Sequence, residues 1–319
     1  MIFILSFTIG RYPISPGELF SVMAAKFLPL EQTWPATLDT VVFQVRLPRI
    51  LAAVLVGAAL ATSGAAYQGM FRNPLVSPDI LGASAGACFG AALAIFCSLN
   101  YAGIQILSFV FGLVAVLITY AVSSRIRHES TLTLVLSGIL IGTLFTSGTS
   151  LLKYMADPFD KLPAITYWLM GSLSSISSED VLAVILPMLA GGFVLYLVRW
   201  RLNVLSLGEE EASALGLDTR KLKMIVILCA TMMTSAAVSI SGMIGWVGLI
   251  VPHLARMIVG PNYKVLLPAS IIIGGTYLLL VDDLARVMAS VEIPLGILTS
   301  IIGAPFFIYL LMHSRRGWQ

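Results

Sequence analysis

The chain has 319 residues, of which 58% are hydrophobic and 11% charged, with a formal net charge of +3 and a mean hydropathy of +0.95. A water-soluble domain carries about 25% charged residues, so this composition excludes a soluble globular protein and indicates a chain whose solvent is largely lipid. The small net charge leaves no electrostatic footprint for nucleic acid, and the apolar runs are continuous rather than alternating, which disfavours a transmembrane barrel and predicts an all-α, polytopic fold.

Ten apolar segments follow in chain order, at about 1–10, 50–71, 80–98, 104–122, 132–152, 181–198, 223–240, 244–259, 266–288 and 294–312. The first lacks the charged start and cleavage site of a signal peptide and reads as the end of a first helix. The second follows "FQVRLPRIL", where Pro48 suits the first turn of a helix and Arg46 and Arg49 flank its start. The third carries Gly82, Gly86 and Gly90 at four-residue spacing, and Gly138 with Gly142 repeats the pattern in the fifth. Small residues so spaced line one helix face and admit another backbone. Internal packing, a second copy or a pathway wall each satisfy that pattern.

The eighth segment is short and is expected to break near Pro252. The ninth ends in Asp282, Asp283, Arg286 and Glu292, and Asp282 and Arg286, four apart, are placed to pair. Cys88, Cys97 and Cys229 are isolated in apolar runs and read as packing residues. His253 reads as a polar residue near a helix end, with no second ligand at metal-binding spacing, and His128 and His313 as surface groups.

Positive charge orients the spans. With both termini cytoplasmic, twelve of the 19 Lys and Arg lie inside, including Arg72, Arg127, Arg220, Arg315 and Arg316. Seven lie outside: Arg11, Lys26, Arg46, Arg49, Lys153, Lys161 and Arg286. Arg46 and Arg49 therefore stand against the trend.

Two connections carry most of the remaining information. "FRNPLVSPDILG", 71–82, is stiffened by Pro74 and Pro78, and Asn73 is placed to bond its local backbone. It is a plain turn or a constriction at the inner mouth of a pathway. The longest polar stretch is 198–223, a cytoplasmic segment within a single transmembrane domain, 1–319. Its "SLGEEEASALGLD" predicts a short helix capped by Ser206, with Glu209, Glu210 and Glu211 in the first turn, and stopped by Gly216. Leu207, Ala212 and Leu215 leave an apolar strip, either interfacial or a docking face for a cytoplasmic protein. No GxxxxGK[ST] loop, zincin motif or nucleophile elbow is present, so the chain reads as a non-enzyme.

In this order, "RLPR", "GAALATSGAAYQGMFRNPLVSPDILGASAGA", "YWLMGSL", "LSLGEEEASALGLD", "SGMIGWVGLIVPHLARMIVG" and "EIPLGILTSIIGAPFFIYLL" resemble the FecCD-type permeases. These are membrane subunits of bacterial ATP-binding-cassette importers for iron–siderophore, haem and cobalamin. The resemblance, from about Arg46 to His313, implies ten spans and a homodimer in the bacterial inner membrane. It also implies two cytoplasmic ATPases that hold ATP and Mg, an outer substrate-binding protein, and no cofactor or metal in this chain. It assigns ATPase coupling to Leu205, Leu207, Gly208, Glu209, Ala212, Leu215 and Gly216. Asn73 and Leu75 correspond to a cytoplasmic gate, and Arg46, Arg49 and Arg286 to residues that dock the binding protein. The leading expectation is a metal-chelate importer. A molybdate or tungstate importer on the same fold is the alternative, and an ion-coupled secondary transporter a further class. The last calls for carboxylates at mid-membrane, and the spans hold few away from their ends.

Overall fold

The computed structural model describes residues 2–26, 28, 34–126 and 131–313, and every regular element among them is helical. In chain order these are α1 (Ile2–Leu5), α2 (Pro16–Ala24), α3 (Ala36–Asp39), a π-helical stretch (Thr40–Arg46) and α4 (Leu47–Phe71). A 3₁₀ turn (Pro78–Leu81), α5 (Ala83–Phe96), α6 (Tyr101–Arg125), α7 (Thr131–Met155) and α8 (Lys161–Leu169) follow. Then come α9 (Ser178–Leu205), α10 (Glu209–Ala214), α11 (Thr219–Ser241), α12 (Val247–Val259), α13 (Tyr263–Val287) and α14 (Leu295–His313). Arg127, His128, Arg315 and Arg316 lie outside the described residues.

Many starts are set by local chemistry. Ser15 and Glu18 form a capping box on α2, Ser177 and Asp180 one on α9, and Asn100, Asp218 and Asn262 cap α6, α11 and α13. Among the described residues six helical stretches are long and apolar enough to cross a membrane: Ala36–Phe71, Tyr101–Arg125, Thr131–Met155, Ser178–Leu205, Thr219–Ser241 and Tyr263–Val287. Ala83–Phe96, Val247–Val259 and Leu295–Tyr309 are apolar but shorter. The expected first span is only the four-residue α1, while α2 and α8 had no counterpart among the predicted elements.

Three expectations change. The second span does not begin at Pro48: α3, the π-helical stretch and α4 make one 36-residue rod with Pro48 inside it. Pro48 offers no N–H and its ring crowds the carbonyl four residues back. The wide turn ahead of it, with the Leu47 N–H bonded to the Val42 carbonyl, accommodates the ring without a break. The eighth segment likewise continues through Pro252 inside α12. The break lies earlier, at 242–246, where Gly242 (φ 66°) and Trp246 (φ 70°) take left-handed backbone. Ser206 ends α9 instead of starting α10, whose cap is Gly208.

The bundle is layered around α4 and α11. In each, 78% of the central apolar stretch is buried, against 33% in α6 and α9 and 22% in α7. Leu140, Leu144 and Leu186 are exposed on α7 and α9, so those helices lie on the outside of the bundle of this single chain. Where lipid is as apolar as leucine, close backbone approach replaces the hydrophobic drive. A Cβ added to Gly64 of α4 would stand 1.8 Å from the Gly248 carbonyl oxygen of α12. Gly69 meets Tyr263, Gly57 meets Gly274 and Arg49 meets Asp282, so α13 runs antiparallel to α4.

Candidate functional site

At one end of the rod, Arg46, Arg49 and Arg286 are each only 5–6% exposed. Three carboxylates balance them. Arg49 donates from Nε at 2.9 and 3.1 Å and from Nη2 at 2.9 Å to Asp282, and from Nη1 at 2.9 Å to both oxygens of Glu292. Arg286 bonds Asp283 through Nη2, stands 3.2 Å from Asp282, and donates to the carbonyls of Ser6 and Ile9. Arg46 donates to the carbonyls of Phe7 and Tyr12, and the Ser6 hydroxyl donates to Asp283 at 2.6 Å. The cluster staples residues 6–12 and the 288–294 loop onto α4 and α13.

The expected pair of Asp282 with Arg286 is present, but the placement of the arginines differs from a docking surface. They are buried and held by their own chain, and Glu292 is the member most open to solvent, its side chain 25% exposed. The reason is the longer rod: Arg46 and Arg49 sit ten and thirteen residues inside it, counted from Ala36, and do not flank its start.

Beside this cluster three separated motifs meet backbone to backbone. The Gly171 carbonyl accepts from Leu295 N at 2.8 Å, Met170 from Gly296 N at 3.1 Å, and Ser241 from Ser172 N at 2.8 Å. A Cβ on Gly242 would fall 2.3 Å from the Trp168 carbonyl oxygen. "YWLMGSL", "SGMIGW" and "EIPLG" are thus one structural unit. Their glycines are legible in the sequence, but the meeting of the three stretches is not.

At the opposite end of α4, Arg72 adopts a left-handed conformation (φ 51°) and the chain turns. The Asn73 side-chain oxygen accepts from the Leu75 N–H at 2.9 Å, and both residues are exposed. Behind the turn, Gln68 donates to the carbonyls of Val76 and Leu249 and accepts from Arg256 at 3.1 Å. The carboxyl of Asp79, just past the turn, bonds Ser84, and its burial raises it above the ordinary carboxylate range. Gly86 and Gly90 seat α5 against the Phe111 and Leu107 carbonyls of α6. Gly82 lies outside the helix at φ 85° and faces Gly138 and Gly142 of α7, so the three glycines do not form a single stripe.

The same end carries α10. Leu207 and Leu215 are 58% and 68% exposed and Gly216 is open, whereas Leu205, Gly208 and Ala212 are buried. The predicted strip is therefore split: Ala212 packs inward, and only the leucines face out. The Gly216 N–H bonds the Ser213 carbonyl and the Leu217 N–H that of Ala212, closing the helix where glycine was expected to stop it. Glu209 reaches back to Lys223 of α11 and accepts from Thr131 of α7 at 3.4 Å. Asp218, which caps α11 and pairs with Lys221 at 3.0 Å, is held below the usual carboxylate range by the Lys221 N–H and side chain. Among the described residues no three His, Cys, Asp or Glu group to hold a metal. Cys88 and Cys229 are buried and Cys97 exposed.

The sequence profile of the FecCD transport family matches residues 1–313. The chain belongs to the FecCD transport family. The match takes in the N-terminal residues ahead of Arg46, which the motif resemblance did not reach. A molybdate import system permease protein of Haemophilus influenzae is 44% identical over 98% of this chain and 93% of that protein. A cobalamin import system permease protein of Halobacterium salinarum is 43% identical over 89% of this chain and 76% of that protein. A solved structure described as an inward-facing metal-chelate-type ABC transporter superposes with a TM-score of 0.88 at 43% identity, covering 98% of this chain and 95% of that one. This FecCD chain is accordingly a multi-pass membrane permease of the ATP-binding-cassette transporters.

Proposed function

We propose that this FecCD permease imports a metal chelate, such as an iron–siderophore, haem or cobalamin, across the bacterial cytoplasmic membrane. The observation that carries the reading is the family match over residues 1–313, together with 43% identity to a cobalamin permease and to a transporter described as of metal-chelate type. In this reading two copies of the chain form a homodimer with the pathway on its axis, ten spans each and both termini cytoplasmic. Two separate ATPases bind ATP and Mg beneath it and dock on Leu207 and Leu215. Asn73 and Leu75 of both copies narrow the inner mouth. A substrate-binding protein docks at the end that holds the arginine cluster. Since those arginines are buried, their part in docking is to fix the loop carrying Glu292 and the N-terminal residues that the partner meets.

A second substrate reading is favoured by one observation: the molybdate permease of Haemophilus influenzae matches at 44% over nearly the whole chain. Identities of 43% and 44% do not separate a large chelate from a small oxyanion. The deciding experiment reconstitutes the permease with its own ATPase and binding protein and measures which ligand stimulates hydrolysis and is taken up. Uptake of molybdate or tungstate with no response to iron–siderophore, haem or cobalamin overturns the chelate reading. Uptake driven by an ion gradient without ATP overturns both.

A further inference from the structure

We propose that Lys223 and Thr131, closing on Glu209, form a latch that carries displacement of α10 into the transmembrane bundle. The proposal deepens the coupling role assigned above to α10 and rests on that reading.

Helix α10 has six residues, too few to hold itself as an isolated helix. Its position is set by what it touches. Ala212 is fully buried beneath it, and the Glu209 carboxylate is gripped from two sides, by Lys223 of α11 and by the Thr131 hydroxyl of α7. The Lys223 side chain is 19% exposed and that of Glu209 43%, so the pair is shielded from one side only. The exposed leucines, Leu207 and Leu215, stand on the opposite side, free to be pushed.

The helix at the far end of the latch reaches the gate. α11 is one of the two most buried spans, and it is tied to α4 by the Tyr67 hydroxyl on Thr231 at 3.1 Å and by Ser63 on the Ala230 carbonyl at 3.2 Å. α4 ends at Phe71, immediately before the turn that holds Asn73 and Leu75. Contacts thus run without interruption from α10 through Lys223 and α11 to the root of the gate. At the latch a cleft of about 120 Å³, open to solvent, has Glu209, Lys223 and Thr131 in its lining together with Met70, Phe71 and Tyr120. That open space leaves α10, α11 and α7 room to shift against the end of α4.

The test uses the whole transporter in proteoliposomes, with its own ATPase and binding protein, and counts substrate moved per ATP hydrolysed. For Lys223→Gln the ATPase still co-purifies and hydrolysis continues, while substrate per ATP falls about fivefold, the factor carried by roughly 1 kcal/mol. Thr131→Val gives a smaller fall in the same direction. The swapped pair, Lys223→Glu with Glu209→Lys, recovers most of the lost transport; a merely structural pair would also be rescued by the swap, but its loss would lower assembly or hydrolysis and leave the substrate moved per ATP unchanged. If Lys223→Gln does not assemble, the neutral pair Lys223→Gln with Glu209→Gln, which strands no charge, takes its place. Leu215→Asp is the control for docking and releases the ATPase. If Leu215→Asp uncouples while Lys223→Gln keeps wild-type stoichiometry, α10 docks but the latch is wrong. If Leu215→Asp changes nothing, the docking reading itself fails.

Discussion

Arg49→Met separates a buried structural cluster from a docking surface. Methionine keeps the length of the stem but removes the guanidinium. Asp282, whose side chain is fully buried, would then keep only the 3.2 Å charge contact with Arg286, and Glu292 would lose both of its 2.9 Å hydrogen bonds. The cluster would hold two positive charges against three negative. Removing one partner of a buried ion pair costs about 3–5 kcal/mol, because the other charge stays desolvated. For a protein of this size that loss lowers the apparent unfolding temperature by about 4–8 °C. The assay is thermal unfolding of the detergent-purified permease at several scan rates, since unfolding of such proteins is seldom reversible. Arg49→Met with Asp282→Asn restores the balance at two against two and is expected to recover much of the loss. Unchanged thermal stability in Arg49→Met, alongside weakened affinity for the binding protein, would show that the arginine serves a partner and that its burial has been misjudged.

Other outcomes follow from particular contacts. Gly64→Ala drives a Cβ into the Gly248 carbonyl and is expected to destabilise by about 1–3 kcal/mol, whereas Gly142→Ala, with nothing nearer than 3.7 Å, is tolerated; detergent thermal stability compares them. The Ser15 N–H and hydroxyl hold the Glu18 carboxyl below its ordinary 4.5, so its charged form supports the cap of α2. That support is present above 4.5 and is lost as pH falls through the lower folded value, so amide-exchange protection of α2 should weaken there in the native protein but not in Glu18→Gln. Leu75→Ala should raise the leak of loaded proteoliposomes without ATP, and an unchanged leak returns 72–77 to an ordinary turn. Glu210→Cys should resist an impermeant thiol reagent applied outside intact cells, and ready labelling would invert the topology.

Fold class and the positions of the long apolar helices were legible because hydropathy is local; the short α2 and α8 were not, and the one predicted start cap, Ser206, ends a helix instead. The stretches around Pro48 and Pro252 were misread for a different reason. Proline is a local breaker, and whether a helix carries through it depends on a widened turn or on packed neighbours, which are properties of the assembled bundle. Ala212 shows the same limit at a site. Its place in an apolar strip was readable, but which side of a six-residue helix faces its own protein is fixed by α9 and α11, elements that no window around it contains. The arginines were recognisable as costly and therefore purposeful. The pairing of Arg286 with Asp282, four residues away, was readable, but the partners of Arg49, 233 and 243 residues along the chain, and the carbonyls that hold Arg46 and Arg286, 34 to 280 residues away, were beyond any local pattern.

These features gain a common logic from the single rod 36–71. Toward one end it carries Arg46 and Arg49, locked to α13, to residues 6–12 and to the 288–294 loop; the other end leads directly to Asn73 and Leu75. About 33 Å separates Arg49 from Phe71, at roughly 1.5 Å per helical residue. Between them Gly57 and Gly64 bring α13 and α12 into backbone contact, and Ser63 and Tyr67 tie in α11. A rod so packed transmits displacement better than it absorbs it, since close-packed interiors are poorly compressible. If the proposed docking holds, a partner that moves the Glu292 loop and an ATPase that moves α10 would act on the two ends of one rigid body. Charge holds the first end and glycine-mediated contact the middle, so substitutions at Arg49 and at Gly64 should disturb transport in the same sense although they share no contact.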